Sequence, residues 1–190
     1  MGTPEARVEV PRADLPLTSS ACPVVRSLEV VGTRSTLLLL REAFYGTRRF
    51  DDFARRVGVT DAVAATRLRV MVDDGLLSRE PYREPGQRTR HAYRLTDKGR
   101  ALYPVLVALV QWGDAWQPAE AGPPVVLTHR GCGEPIHAEV RCAAGHPVDD
   151  RHAAVLAGPG LVGPGLVGPG LVGAGPPDAR PAGPAVRRDR

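Results

Sequence analysis

Two pairs of side chains late in the sequence have the types and the spacing of zinc ligands. His129 and Cys132 are separated by two residues, and Cys142 and His146 by three. Two thiolates and two imidazoles suit tetrahedral zinc, so the pattern predicts a small Cys/His unit, preceded by a linker, within residues 118–157. The alternative is a hairpin without a metal. No other feature of the sequence requires a cofactor.

Cys22 is a second candidate for chemistry. Pro23 follows it, and proline is favoured at the first position of a helix. The free N–H groups and the dipole at a helix start raise the reactivity of a thiol. The alternative is a small hydrophobic side chain at an interface. With an odd number of cysteines and no apolar leader in residues 1–20, the sequence favours a cytoplasmic chain with reduced thiols.

Basic residues are concentrated between positions 76 and 100. They are Arg79, Arg83, Arg88, Arg90, Arg94, Lys98 and Arg100. Against these seven stand three acidic residues, so the stretch is net +4, equal to the formal charge of the whole chain. Such a placement suits contact with DNA phosphates, because each neutralised phosphate releases counterions. The alternative is a solvated hairpin on a domain that binds protein.

Apolar periodicity and glycine breakers predict the helices that carry these residues. Four helices are expected over residues 22–31, 35–45, 50–57 and 60–74, the second capped by Ser35 or Thr36 and the fourth by Thr60. The third and fourth helices, joined across residues 58–60, form a helix-turn-helix unit.

The fourth helix is predicted to read bases from its outer face. Val63, Ala64, Leu68 and Met71 are expected to face the core. The base-reading positions are then Thr60, Asp61, Ala62, Ala65, Thr66 and Arg69. Backbone contacts are predicted for Arg48, Arg49, Arg67, Arg88 and Arg90.

Residues 76–95 change to a strand pattern with a turn at Pro85-Gly86. A long apolar helix follows from Thr96 to about Trp116, bent slightly at Pro104. The fold class is therefore mainly α with a small β wing, a winged helix-turn-helix domain over residues 21–117. The apolar first and last helices exceed what so small a domain can cover, which predicts a homodimer.

The two ends of the sequence are predicted to be disordered. Prolines interrupt any periodicity in the arm over residues 1–20. The tail over residues 158–190 begins with three copies of Gly-Pro-Gly-Leu-Val, which cannot bury a core. No apolar run is long enough to span a membrane. No enzyme is expected, since no phosphate-binding glycine loop follows a strand, and Ser35, His91 and Asp97 have no reason to converge as a triad.

Several blocks of residues 22–116 occur together in the order and spacing of one family. They are Cys22-Pro-Val, residues 30–42, residues 46–53, Arg67-Leu68 with residues 74–77, and residues 93–100 followed by residues 104–106 and Trp112-Gly113. In these blocks the chain resembles the HxlR family of bacterial winged helix-turn-helix transcriptional regulators. The resemblance implies a homodimeric transcription factor, joined through its first and last helices. The two-fold symmetry of such a dimer predicts a palindromic promoter site. The resemblance also implies that a cysteine at the position of Cys22 senses oxidants or electrophiles in some members.

The chain departs from this family at several positions. Ser35 stands where the family usually has Trp, and Ala62 and Thr66 stand where it usually has Lys and Gln. In members with a cysteine-rich extension, a second Cys-Gly pair stands where this chain has Ala144-Gly145. The small side chains of the recognition helix favour weak base readout or readout of DNA shape. They also leave open a winged-helix module that binds protein, with little sequence-specific DNA binding.

Overall fold

The computed structural model describes residues 22–83, 86 and 89–155. Four helices come first: α1 (Pro23–Val31), α2 (Arg34–Phe44), α3 (Phe50–Val57) and α4 (Asp61–Asp73). Two strands, β1 (Leu77–Tyr82) and β2 (Arg90–Leu95), are followed by the one-turn helix α5 (Asp97–Arg100) and by α6 (Tyr103–Trp116). This order confirms a mainly α fold with a small β wing. The predicted arm and the repeat tail lie outside the described residues, as does Arg88.

The core forms around α2, which packs against α3, α4 and α6. Its largest fully buried side chains are Leu39, Leu40, Phe53, Leu68, Met71, Leu76 and Leu77. Burying each such side chain contributes about 1.5–3 kcal/mol, so residues from four different elements hold the helix-turn-helix to α2.

The caps of the helices fix where the turn of the helix-turn-helix lies. Thr60 caps α4 as predicted, its hydroxyl oxygen accepting from the Val63 N–H at 3.4 Å. Gly58 ends α3 with a φ of 71°. The prediction for α2 was wrong: Thr33, and not Ser35 or Thr36, caps it and accepts from the Thr36 N–H at 3.2 Å. Because α1 ends at Val31, Thr33 is already extended, whereas Ser35 lies within the first turn.

The wing is an antiparallel pair in which Leu77 faces Leu95 and Tyr82 faces Arg90. The segment before α3 joins this pair. Arg49 forms a bridge with Ala92, and the Tyr93 N–H donates to the Arg48 carbonyl at 2.8 Å. The wing is thereby attached to the start of the helix-turn-helix.

The long last helix was predicted as one element, and this prediction was wrong. It is divided into α5 and α6, with Pro104 in the first turn of α6. Proline has no N–H to donate to the carbonyl four residues before it, and its ring crowds that carbonyl. A new helix therefore starts at Tyr103, where proline is accommodated.

The segment after α6 contains two isolated bridges, Thr128 with Pro135 and Arg141 with Pro147. It is held to α6 through Gln111, whose side-chain carbonyl accepts from the Ala138 N–H at 2.6 Å. The boundary between the winged helix-turn-helix domain, residues 21–117, and the linker with its Cys/His unit, residues 118–157, stays a prediction. Within the part of the chain described, no helix is long and apolar enough to cross a membrane.

Candidate nucleic-acid interface

The outer face of α4 is the most direct candidate for contact with DNA bases. Its rotation is set by Ala64, Leu68 and Met71, which are all buried. The opposite face is exposed, as predicted, at Thr60, Asp61, Ala62, Ala65, Thr66 and Arg69, whereas Arg67 is half-buried. The prediction for Val63 was wrong, because its side chain is 41% exposed.

The position of Val63 follows from helix geometry. Ala64, Leu68 and Met71 follow the spacing i, i+4, i+7, which defines one narrow buried stripe. Val63 lies about 100° away from Ala64 around the helix axis. It therefore extends the exposed face beside Thr66, a position that its apolar character concealed in the sequence.

This outer face is rich in methyl groups. Alanine, valine and threonine methyls can contact the thymine methyl in a major groove, but they cannot make bidentate hydrogen bonds. Apart from Thr60, whose hydroxyl caps α4, Thr66 and Arg69 are the side chains on it that can hydrogen-bond to base edges without carrying negative charge. Asp61, in the first turn, suits the positive end of the helix dipole.

The two arginines before α3 lie in different environments. Arg48 is half-buried, and its Nη1 donates to the carbonyl oxygens of Ala43 at 3.1 Å and Thr47 at 3.3 Å. Its guanidinium thus satisfies backbone groups at the end of α2. Arg49 is exposed, and its guanidinium lies over the Tyr82 ring at 5.3 Å. Of these two, Arg49 is better placed to meet a phosphate.

The wing carries its charge beside the start of α3. Arg90 Nη1 lies 3.0 Å from Oδ2 of Asp51, and both side chains are exposed. On the same hairpin Arg94 pairs with Glu80. An exposed pair of this kind contributes only about 0–1 kcal/mol, so a phosphate can compete for the arginine.

Tyr93 anchors the wing to the helix-turn-helix. Its ring meets that of Phe53 edge to face, with centroids 6.0 Å apart. Burial raises the pKa of the Tyr93 phenol above its ordinary value of 10.0, and the charge of Arg79 offsets part of that increase. The phenol therefore stays neutral at ordinary pH.

A buried carboxylate, which the sequence analysis did not single out, joins α2 to α3. Glu42 accepts from Arg41 Nη2 at 2.9 Å and from the Thr47 hydroxyl at 3.3 Å. Arg56 of α3 lies 3.8 Å away. The sequence carries a signal for this buried carboxylate, because the glutamate is flanked by Leu39, Leu40 and Ala43. An acidic side chain within an apolar stripe needs polar partners when it is buried.

The predicted zinc ligands are only partly brought together. His129 Nδ1 lies 3.2 Å from Cys132 Sγ, and Cys142 and His146 lie in a tight turn in which the Cys142 N–H donates to the His146 carbonyl. Among the described residues no group of three or more His, Cys, Asp or Glu could hold a metal ion. The four predicted ligands are thus placed as two separate pairs in the described part of the chain. Zinc binding by them stays a prediction.

Cys22 lies at the N-cap of α1, as its place before Pro23 predicts. Its thiol is half-buried and free, and it makes no side-chain cap hydrogen bond. The exposed apolar side chains Val24 and Leu28 follow it on the same helix. Any chemistry at Cys22 would thus occur beside an apolar surface.

Comparison with known proteins agrees with this geometry. The HxlR-like helix-turn-helix family matches residues 30–121. Over 139 residues the chain is 44% identical to a protein of Mycobacterium tuberculosis named uncharacterized HTH-type transcriptional regulator Rv3095, covering 73% of this chain and 87% of that protein. The similarly named sll1512 of Synechocystis is 30% identical over 115 residues, covering 60% and 84%.

Solved structures with the same fold are also similar in sequence. The crystal structure of PA1607, described as a candidate transcription factor, gives a TM-score of 0.64 at 38% identity, covering 70% of this chain and 93% of that one. The structure of PA1374 of Pseudomonas aeruginosa, described in the same way, gives a TM-score of 0.51 at 37% identity, covering 73% of this chain and 93% of that one. These relatives are named as transcriptional regulators or transcription factors.

Proposed function

This chain belongs to the HxlR-like helix-turn-helix family of transcriptional regulators, and we propose that it binds a palindromic promoter site in double-stranded DNA as a homodimer. The observation that carries the proposal is the exposed outer face of α4, at the end of a helix-turn-helix whose wing bears Arg90. In this arrangement α4 enters the major groove and the wing meets the neighbouring backbone.

The homodimer is supported by apolar side chains that the subunit leaves exposed on α1 and α6. On α6, Trp112 is 58% and Trp116 is 70% exposed, and on α1 Val24 and Leu28 are exposed as well. A single domain that leaves two tryptophan side chains in water forgoes the free energy of burying them, and a two-fold contact between subunits would cover both. The two copies of α4 would then lie about 34 Å apart, or a multiple of that distance, on a palindromic site.

Phosphate contact is assigned to Arg49, Arg67 and Arg90, together with Arg88 outside the described residues. The test is a duplex selected from a random library, followed by fluorescence anisotropy at several salt concentrations. Replacing Arg88 and Arg90 together by alanine should weaken binding to all sequences alike and reduce the salt slope by ~1 per lost phosphate contact.

The matched control is Arg141→Ala. Arg141 is exposed and paired with Glu139, as Arg90 is with Asp51, but it lies in the segment after α6. It should leave affinity and salt slope unchanged. If the double wing variant behaves like wild type, the wing does not anchor the DNA.

A response to oxidants or electrophiles is assigned to Cys22. The support is its free thiol at the start of α1, next to the apolar surface assigned to the dimer. Addition of its sulfur to the double bond of a maleimide should change DNA affinity of the wild type and not of Cys22→Ser. An equal change in both proteins would remove this assignment.

The second candidate function is a winged-helix module that binds protein. The observation that favours it is the shortage of long polar side chains on α4, where Ala62, Val63 and Ala65 are exposed. If the purified chain selects no duplex from the random library, and if no duplex shows salt-dependent binding to it, protein binding is favoured over DNA binding.

A further inference from the structure

A cavity of about 200 Å³ lies between α2 and α6 and is partly open to solvent, since Tyr45 and Leu109 of its lining are 42% and 47% exposed. Leu38 and Phe44 contribute to its α2 side, Leu106 and Val110 to its α6 side, and Leu127 of the segment after α6 also lines it. Engineered apolar cavities of ~150 Å³ bind benzene, so a space of this size accepts one aromatic ring with a substituent.

The walls of the cavity are well supported. The Phe44 and Tyr103 rings contact each other across α2 and α6, with centroids 5.1 Å apart. Val107, on the same side as Leu106, is buried. The hydrogen bond from Ala138 to Gln111 holds the segment that carries Leu127 to α6. The cavity is therefore built by three separate parts of the chain.

The polar groups of the lining favour an uncharged ligand. Arg41 donates to Oε1 of Glu42 through Nε at 3.2 Å and Nη2 at 2.9 Å, so its charge is already balanced. Tyr45 contributes a phenol whose pKa is raised by burial and which therefore stays neutral. A carboxylate would lose part of its hydration here without gaining an unpaired cation.

We propose that this cavity binds a small uncharged aromatic molecule, of the size of a substituted phenol, with its ring between α2 and α6. Aromatic rings prefer edge-to-face or offset contacts, which Phe44 and Tyr103 offer. A hydroxyl or carbonyl substituent can hydrogen-bond to the Tyr45 phenol. Since α2 packs on α4 and α6 carries the exposed tryptophans, we expect a ligand between α2 and α6 to change the affinity for DNA. This second expectation rests on the proposed function.

The test uses the full chain without DNA and 4-fluorophenol as the probe, followed by ¹⁹F NMR. The signal should broaden and shift saturably with wild-type protein. Val110→Phe, which fills the cavity, should weaken binding by at least about tenfold, equivalent to ~1.4 kcal/mol. The matched control is Val105→Phe, which makes the same change on the same helix at an exposed valine outside the lining. It should bind the probe like wild type.

Circular dichroism melting checks that each variant folds, and Leu127→Trp replaces Val110→Phe if that variant does not. The absence of a saturable change with wild type overturns the proposal, as does equal binding by all variants. If the probe binds only after dilution to the monomer, a second copy of the chain fills the cavity and the proposal fails. Probe binding without any DNA binding would overturn the proposed function and leave the ligand site standing.

Discussion

Glu42 differs from the exposed carboxylates of the domain in its surroundings. Its side chain is only 6% exposed and is held by Arg41, Thr47 and the more distant Arg56. Glu42→Ala leaves the buried Thr47 hydroxyl and two partly exposed arginines without their acceptor, so we expect the free energy of unfolding to fall by about 2 kcal/mol in urea titrations. Glu80→Ala, which breaks the exposed pair with Arg94, should cost at most about 1 kcal/mol. Equal losses would mean that the Glu42 network is not structural.

Arg69 tests how α4 selects a sequence. It is exposed on the outer face, and its fork can bind a guanine edge in two places. Arg69→Ala should change the preference between related sites by about 1–3 kcal/mol per lost base contact, measured by competition between selected duplexes. The control is Arg55→Ala on α3, an exposed arginine paired with Asp52. If Arg69→Ala weakens every duplex equally, Arg69 contacts only the backbone.

Among the elements, the junction of α4, β1 and α5 is the most tightly packed around a glycine. A Cβ added at Gly99 would lie 2.2 Å from the Leu76 carbonyl oxygen. The Thr96 hydroxyl donates to the Gly75 carbonyl at 2.6 Å and accepts from the Gly99 N–H at 3.1 Å. Any side chain at position 99 would push α5 away from these contacts.

We therefore expect Gly99→Ala to destabilise the domain by about 2–3 kcal/mol, as overpacking does. The control is Gly113→Ala in α6, where an added Cβ meets nothing within 4 Å. Alanine is the better helix former, so this variant should gain about 0.5–1 kcal/mol. Thermal melts of both proteins measure the difference, and a neutral Gly99→Ala would contradict the packing described.

Helices bounded by glycines were predictable from the sequence. The predicted bounds of α3 match the structure, because Phe50, Phe53 and Ala54 mark one face and Gly58 ends it. The break before Tyr103 was missed, since apolar residues continue on both sides of it and only Pro104 signals it. The strand segment at Arg49 was also missed, because a single bridge leaves no alternation to detect.

The candidate interface was predictable where exposure follows from helix phase. Ala62, Ala65 and Arg69 lie opposite the buried stripe, as expected. Arg48 was not distinguishable from Arg49 by type, because only the fold places its guanidinium on the carbonyls of Ala43 and Thr47. The cavity between α2 and α6 could not be predicted at all, since it depends on how apolar faces fail to fill the space between them.

At the scale of the whole molecule, Trp112 tests the proposed dimer. A charge in the middle of the apolar surface on α6 would have to be buried in the contact. Trp112→Glu should therefore shift the sedimentation coefficient from dimer to monomer at micromolar concentration while the fold is kept. Val140→Glu is the control, because Val140 is 70% exposed but lies in the segment after α6. A wild-type chain that sediments as a monomer would contradict the proposal.

The methyl-rich outer face of α4 bears on how many copies of the regulator a cell must hold. A genome offers about 10⁶–10⁹ competing non-specific sites, and each mismatched base pair costs only ~1–3 kcal/mol. A helix with few side chains able to form bidentate contacts has a low specificity ratio, so most copies would lie on unrelated DNA at any moment. If the regulator reads two half-sites together, as proposed, their free energies add, and the specificity ratio for the promoter rises above that of either half-site alone, which lowers the number of copies needed to occupy it.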